Sequence, residues 1–195
     1  MDSWRLPTSL SVGGVDRPIR TDFRCILDIL RMLDDRDLPS WAQTVCLIKM
    51  LFIDWKMIPQ EQYTEACEKA MSFIDNGIEP EDKDYKKKRP RLMDWDQDAE
   101  MIVSAINKVS GIIDVRSVDY LHWWTFLGYY MSIGESLFSS VLNVRYKRAH
   151  GKKLEKHEKE FERENIRLVR LRKQRTEEES ERLKAERRAL DDLIG

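Results

Sequence analysis

Every tryptophan, proline and tyrosine of this chain lies in its first 150 residues, and this partition is the sequence feature that most constrains the fold. Residues 151–195 differ in kind, because 26 of these 45 side chains are ionised, 14 as Lys or Arg and 12 as Asp or Glu. Aromatic side chains bury much apolar area, whereas charged side chains are seldom buried unless they are paired. The partition therefore predicts a globular domain over residues 1–150 and a charged extension over residues 151–195.

The overall balance of charge excludes some classes of partner. The 195 residues carry a formal net charge of −1, and 42 % of them are hydrophobic. That hydrophobic share is enough for a core, and a near-neutral chain does not coat nucleic acid or anionic membrane through bulk electrostatics. Residues 120–134, the longest uncharged apolar stretch, are fewer than the roughly 18–20 residues needed to span a bilayer. The N-terminus lacks the apolar segment of a signal peptide, and the cysteines are odd in number, so we expect a cytoplasmic protein with reduced thiols.

Hydrophobic periodicity predicts an all-α fold, a compact bundle of about six helices. Their starts are indicated by Thr21 or Asp22, Pro39-Ser40, Pro59, Asp94, Ser117 and Ser136. Ahead of them, residues 4–20 predict an extended arm or a short β-hairpin, because Gly13-Gly14 offers a tight turn. A two-stranded hairpin is marginal alone, so this one must pack on helices.

The extension carries a short heptad pattern. Leu154, Phe161 and Leu168 are spaced by seven, but the phase is lost after Arg175. Three positions followed by a break favour a long, solvated, charged helix, with disorder and a self-pairing coiled coil as alternatives. Such a helix gains little from burial, which is a reason to expect a partner along it.

The sequence lacks the residue spacings that are typical of catalytic and cofactor-binding motifs. The eight glycines form no phosphate-binding loop, and the cysteines and histidines lack zinc-type spacing. Asp94, Asp96 and Asp98 imitate the start of a calcium loop, but alanines stand where the loop requires glycine and glutamate. We therefore expect a non-enzymatic protein without a metal or a cofactor.

The most unusual local sequence is His122-Trp123-Trp124. Successive helical residues point about 100° apart, so both indoles cannot enter one core face. One packs inside with its helical neighbours, and the other is covered by the N-terminal arm, by the extension or by another chain. The candidate protein-binding residues are His122, Trp123, Trp124, Phe126 and Tyr129.

A basic cluster follows the sixth predicted helix. The candidate basic contacts are Arg145, Lys147, Arg148, Lys152 and Lys153. Glu155, Glu158 and Glu160 follow closely and offset this charge, so a nucleic-acid partner is disfavoured. A second basic run, Lys86–Arg89, reads as a solvated loop.

Several short motifs occur in order along residues 6–150: Leu6-Pro7, Gly13-Gly14, Thr21-Asp22-Phe23-Arg24, Asp94-Trp95 with Asp98, Leu121-His122-Trp123-Trp124 with Phe126, and Val144-Arg145. In this order they resemble the bacteriophage gene-product-fifteen family, found in phages and prophages of Gram-positive hosts. The resemblance implies a tail-module protein without catalytic activity, of the kind encoded beside the tape-measure gene. Residues 151–195 lie outside the motifs that carry it.

Tail-module proteins in that gene position are typically tail assembly chaperones. The resemblance thus implies a helical chaperone that binds the tape-measure protein, or other tail proteins, in the cytoplasm of the bacterial host during phage assembly. Self-association is a further option. Two alternatives stay open: a structural tail component retained in the virion, and a nucleic-acid-binding regulatory helical protein.

Overall fold

The computed structural model describes residues 4–35, 37–77 and 90–172, together with Arg182. These residues are mainly helical with one short antiparallel hairpin, so the predicted all-α class with an N-terminal hairpin is confirmed. The strands are β1 (Ser9–Val12) and β2 (Val15–Pro18). The helices are α1 (Phe23–Asp34), α2 (Ser40–Leu51), α3 (Tyr63–Ile74), α4 (Ala99–Ser110), α5 (Trp123–Met131), α6 (Leu137–Ala149), α7 (Lys156–Glu164) and α8 (Ile166–Val169).

The described residues fall into two compact units. The first, which we call the hairpin unit, consists of Thr8–Arg20 and Cys25–Ala70. The second, the tryptophan unit, consists of residues 4–7, Thr21–Arg24 and the described part of Met71–Arg172. The short segment Thr21–Arg24 is therefore assigned to the tryptophan unit although both of its neighbours in the chain belong to the hairpin unit.

A two-residue turn closes the hairpin. Val12 pairs with Val15, and the intervening Gly13 and Gly14 have φ values of +58° and +75°. Both central residues of a type I′ hairpin turn need positive φ, which glycine adopts without a Cβ penalty. The Gly13 N–H donates to Glu65 Oε2 at 3.0 Å, so the tip of the hairpin is fastened to α3.

The chain leaving β2 binds the end of α2. Arg20 N–H donates to Leu51 O at 2.8 Å, and Ile53 N–H donates to Pro18 O at 3.0 Å. The Arg20 guanidinium also donates to Met50 O at 2.8 Å, which places a cation at the negative end of the α2 dipole. These bonds supply the helical support that a lone hairpin requires. The buried apolar residues of the unit are Leu10, Val12, Ile19, Ile26, Ile29, Leu47, Ile48, Leu51, Phe52, Ile58, Ala66 and Ala70.

In the tryptophan unit, α4 contacts α5 and α6, and α6 also contacts α7 and α8. Apolar residues recur at helical spacing on α4, α5 and α6, which is why these three helices share a core. Its buried apolar residues are Phe23, Phe73, Ile74, Met101, Ile102, Ala105, Ile106, Val115, Trp123, Phe126, Leu127, Phe138, Val141, Val144, Leu154 and Val169.

Three helices begin later than predicted. α3 begins at Tyr63, because Pro59 starts a separate 3-10 turn over Gln60–Gln62. α4 begins at Ala99, because the Asp94 carboxylate accepts from the N–H groups of Asp96 and Gln97 and so closes a separate turn before the helix. α5 begins at Trp123 and not near Ser117, which lies in a 3-10 turn after Asp114. The residues just before α5 are extended, for a reason given below.

The expected long charged helix is not what the described residues after 150 form. α7 ends at Glu164 and α8 covers only Ile166–Val169. Leu154 and Val169 are buried, so this part of the chain packs as part of the tryptophan unit. The predicted division after residue 150 does not separate α7 and α8 from α6. The rest of the expected helix, residues 173–195, lies outside the described residues apart from Arg182, as does the basic run Lys86–Arg89.

None of the helices in the described ranges has the length and apolar character needed to cross a membrane.

Candidate functional site

The starts of α1 and α5 supply hydrogen-bond acceptors to each other. Phe23 N–H, at the start of α1, donates to Leu121 O at 3.0 Å, and Trp123 N–H, at the start of α5, donates to Thr21 O at 2.7 Å. Asp22 and His122 form the antiparallel bridge between these bonds. The first N–H groups of a helix have no partner inside it, so each segment satisfies a group that the other helix leaves open. We call this pairing the reciprocal bridge.

Side chains reinforce the reciprocal bridge. Asp22 Oδ1 accepts from Arg24 N–H at 3.0 Å, and Asp22 Oδ2 accepts from Leu121 N–H at 3.2 Å. The Arg24 guanidinium donates to Val118 O, and the Thr21 and Tyr120 hydroxyls share a hydrogen bond of 2.7 Å. These contacts hold the segment before α5 extended, which explains the late start of that helix.

His122 caps α5 and ties it to the N-terminal arm. Its Nδ1 accepts from Trp124 N–H at 3.0 Å, which leaves Nε2 to carry the proton and donate to Pro7 O at 3.0 Å. The ring is buried, with 3 % of the residue exposed. His122 is therefore a structural cap in this conformation.

Both tryptophans of α5 donate to the end of α3. Trp123 Nε1–H donates to Ile74 O and Trp124 Nε1–H donates to Phe73 O, each at 2.8 Å. The last carbonyls of a helix lack intrahelical donors, and two successive indoles satisfy two of them here. Trp123 is buried, whereas Trp124 is half-buried with its ring 5.9 Å from that of Phe73. The second indole is thus covered by the end of α3, which was not among the predicted covers.

A stack of rings continues from Trp123 into the core. Phe126 lies between Phe23 and Trp123, with centroid distances of 4.7 and 5.6 Å and nearly parallel planes. The ring centroid of Trp95 lies 6.5 Å from that of Trp123 and 5.5 Å from that of Tyr130. Offset stacked and tilted aromatic pairs of this kind add stability beyond their buried area.

The predicted protein-binding residues therefore divide by burial. His122, Trp123 and Phe126 are buried, so a partner cannot touch them in this conformation. Trp124 and Tyr129 are half-buried and leave part of their rings at the surface. The predicted surface is reduced to these two rings.

The first predicted basic contact, Arg145, is buried in an ion pair. Its guanidinium binds both carboxylate oxygens of Asp98, at 2.7 and 2.9 Å, and the two residues are 5 % and 0 % exposed. Arg145 also donates to Leu92 O at 2.9 Å, and Asp98 accepts from Asp94 N–H at 3.0 Å. Planar bidentate geometry with extra hydrogen bonds is what a buried pair needs to offset the cost of desolvation.

Two of the other four predicted basic contacts are paired with acids of α7. Lys147 Nζ binds Glu158 Oε1 at 2.5 Å, and the Arg148 guanidinium binds Glu162. Lys152 lies 4.6 Å from the centre of the Tyr146 ring, and Lys153 is exposed. The predicted basic cluster thus joins α6 to α7 more than it forms a charged surface.

Glu158 is the acidic centre of this junction. The Lys147 ammonium, with hydrogen bonds from Glu155 N–H and the Asn143 amide, lowers the pKa of Glu158 from its usual 4.5 to about 2. The Glu158 side chain also closes the capping box at the start of α7.

Sequence reasoning missed the reciprocal bridge and the buried ion pair as interactions. Their members are among the residues that carry the resemblance, but no spacing rule links Asp22 to Leu121 or Asp98 to Arg145. The one usable signal was the capping potential of Asp22, whose carboxylate accepts from Arg24 N–H at the start of α1.

The two units define a mainly helical protein with a two-stranded hairpin, and most of its candidate site residues make contacts within the tryptophan unit. Comparison with protein families identifies the family of the chain. The family described as Bacteriophage Gp15 protein matches residues 3–171, and the chain belongs to this family. The match includes α7 and α8. No curated protein and no solved structure matches the chain.

The two indoles predict unequal losses of stability. Trp123→Phe leaves the buried Ile74 carbonyl without its indole donor, which costs about 1–3 kcal/mol before the emptied volume is counted. Trp124→Phe should cost about 1 kcal/mol at most, because Phe73 O keeps a hydrogen bond from Asn76 N–H. Urea unfolding of both variants measures the difference, and equal losses would contradict these roles.

The buried ion pair gives a second prediction. Arg145→Met should cost about 3–5 kcal/mol of unfolding free energy, because it leaves the Asp98 carboxylate buried without its cation. Arg148→Met is the matched control on the same helix and should change stability little, because Arg148 is exposed. Chemical unfolding of the two variants tests this, and a neutral Arg145→Met would show that the pair is dispensable.

The lowered pKa of Glu158 predicts a pH dependence. The folded-state pKa is about 2, below the usual 4.5, so the unfolded chain binds the proton first as the pH falls. The stability that Glu158 contributes is complete above pH 4.5 and is lost towards pH 2. The stability difference between the native chain and Glu158→Gln should therefore shrink over this range. Lys147→Met should reduce the same dependence, and a constant difference would contradict it.

Proposed function

We propose that this phage protein is a tail assembly chaperone that binds the helical tape-measure protein while the tail is built. Membership of the Gp15 family carries the proposal. The motifs of the chain resemble tail-module proteins encoded beside the tape-measure gene, where tail assembly chaperones are typically found. The role needs binding and release of a client, not catalysis, and it places the protein in the host cytoplasm.

Apolar side chains exposed on the hairpin unit support this role. Ile53 and Met57 are 55 % and 68 % exposed, and Trp41 on α2 is 72 % exposed. The segment that carries Ile53 and Met57 is held in place, because Arg17 donates to Met57 O and binds Asp54 at 2.9 Å. A client helix with one apolar face needs such fixed apolar partners. We therefore place the client-binding surface on the hairpin unit, at Trp41, Ile53 and Met57. The half-buried Trp124 and Tyr129 are separate candidate contacts on the tryptophan unit.

Two rival roles are less well supported. For nucleic-acid binding, three of the five basic residues named above are paired with carboxylates, so few phosphate contacts are left among them. Retention in the virion as a structural tail component would use the same apolar surface. Mass spectrometry of purified particles distinguishes a retained component from a chaperone that leaves.

Co-expression with the tape-measure protein tests the proposal. The native chain should keep the tape-measure protein soluble and co-purify with it, and Ile53→Ser with Met57→Ser should reduce the recovered complex several-fold. Ile113→Ser, at a side chain that is 97 % exposed in the tryptophan unit, is the matched control and should leave the complex unchanged.

A truncation that tests the C-terminal residues should end at Arg172. A chain cut at residue 150 would also lose α7, α8 and the contacts of Arg145 with Leu168 and Val169. A chain ending at Arg172 shows whether residues 173–195 contribute to client binding. Tape-measure protein that is equally soluble without any form of this chain would refute the chaperone role.

A further inference from the structure

The segment that carries the exposed Ile53 and Met57 also carries cations. Lys49 lies in the last turn of α2, and Lys56 directly precedes Met57. Their ammonium nitrogens lie 4.9 and 5.8 Å from the centre of the Trp55 ring. A cation–π contact of this kind holds a long, flexible side chain against an aromatic face. Both lysines are exposed, so their charges are kept within this segment and stay open to solvent.

A third cation, Arg20, is bound to the same segment. Its guanidinium donates to Met50 O and Phe52 O at 2.8 and 3.2 Å, and both acceptors are neutral carbonyls. Within the part of the chain that the structure describes, no carboxylate forms an ion pair with Arg20, Lys49 or Lys56. We call these three cations the basic rim. Their charges are not compensated by the protein itself.

The one acidic residue of residues 49–57 does not offset the basic rim. Asp54 binds Arg17 at 2.9 Å, so its charge is matched by a further cation. The charged side chains that hydrogen bond to this segment from outside it, among the described residues, are those of Arg17 and Arg20. A local excess of one sign of charge attracts partners of the opposite sign and disfavours partners of the same sign.

We propose that the basic rim selects the client: the helix that binds at Ile53 and Met57 carries Asp or Glu beside its apolar stripe. The stripe contacts the two exposed apolar side chains, and the client carboxylates pair with the basic rim. This inference rests on the client-binding surface proposed above and gives the chemistry of its partner. A phosphate backbone would pair with the same cations but would leave Ile53 and Met57 uncovered, which favours a protein helix over nucleic acid.

Fluorescence anisotropy with two labelled synthetic helices tests this selection. Both peptides are three heptads long with leucine at the a and d positions, and they differ only at e and g, which are glutamate in the acidic peptide and lysine in the basic one. The native chain should bind the acidic peptide more tightly by roughly fivefold or more. The preference should shrink at high salt, because exposed charges are screened.

Charge reversal gives a sharper result. Lys49→Glu with Lys56→Glu should invert the preference, so that the basic peptide binds more tightly. Lys69→Glu with Lys108→Glu is the matched control, because it changes the net charge equally at exposed lysines outside the basic rim, and it should keep the preference for the acidic peptide. Near-ultraviolet circular dichroism establishes that each variant is folded. Should the glutamate pair fail to fold, Lys49→Gln with Lys56→Gln replaces it and should abolish the preference.

Co-expression with the tape-measure protein separates failure of this inference from failure of the proposed surface. The charge reversal should lower the recovered complex several-fold. If Ile53→Ser with Met57→Ser lowers recovery and the charge reversal does not, the apolar surface stands and the acidic client is refuted. If neither pair lowers recovery, the surface and this inference are refuted together.

The peptides decide the inference independently of the tape-measure protein. Equal binding of both peptides by the native chain, or binding of neither, overturns it. Tighter binding of a labelled single-stranded RNA oligonucleotide than of the acidic peptide also overturns it, because the basic rim would then serve phosphates.

Discussion

The tryptophan unit depends on the reciprocal bridge between the starts of α1 and α5. A helix start exposes N–H groups that are costly to bury without acceptors, and here each start supplies an acceptor for the other. Once Trp123 N–H is fixed on Thr21 O, the direction of α5 is fixed as well. Its first two indoles then reach the last carbonyls of α3, and the ring of Phe126 stacks on Phe23. The chain thus uses one backbone pairing to position three helix ends.

Ion pairs between opposite charges also join elements within the tryptophan unit. The formal net charge of −1 could describe a solvated surface of mixed charges, but several opposite charges are used in contacts between elements. Asp98 and Arg145 join the start of α4 to α6, and acids of α7 bind bases of α6. Removing one partner of a buried pair is far more costly than removing an exposed charge, so these residues have little freedom to serve a ligand as well.

Local rules predicted much of the fold and little of the site. Gly13-Gly14 identified the hairpin turn, and hydrophobic periodicity identified α1 to α6. Both features could be predicted because a turn and an amphipathic helix depend on residues that are close together in the sequence. The start of α5 was misplaced because Asp22, which holds Leu121 extended, is 99 positions away in sequence. For the same reason Arg145 was predicted to be an exposed basic residue. Its burial depends on the ion pair with Asp98, which lies 47 positions earlier, and no local sequence pattern indicates that pair. The pair of indoles was recognised as unusual, but the end of α3 that receives them could not be inferred.

The assignment of Thr21–Arg24 to the tryptophan unit has a consequence for the order of folding during synthesis. The parts of the hairpin unit described here are complete once residue 70 has been made, and N-terminal units generally fold first on the ribosome. Thr21 and Asp22 emerge early, but their partners Tyr120, Leu121 and Trp123 follow about 100 residues later, which at roughly 5–20 residues per second is a delay of several seconds. During that interval the rest of α1 can be folded, while the Phe23 N–H group and the Thr21 carbonyl still lack their hydrogen-bonding partners Leu121 and Trp123. We therefore expect the hairpin unit to fold before the hydrogen-bonding partners of Thr21 and Asp22 have been synthesised.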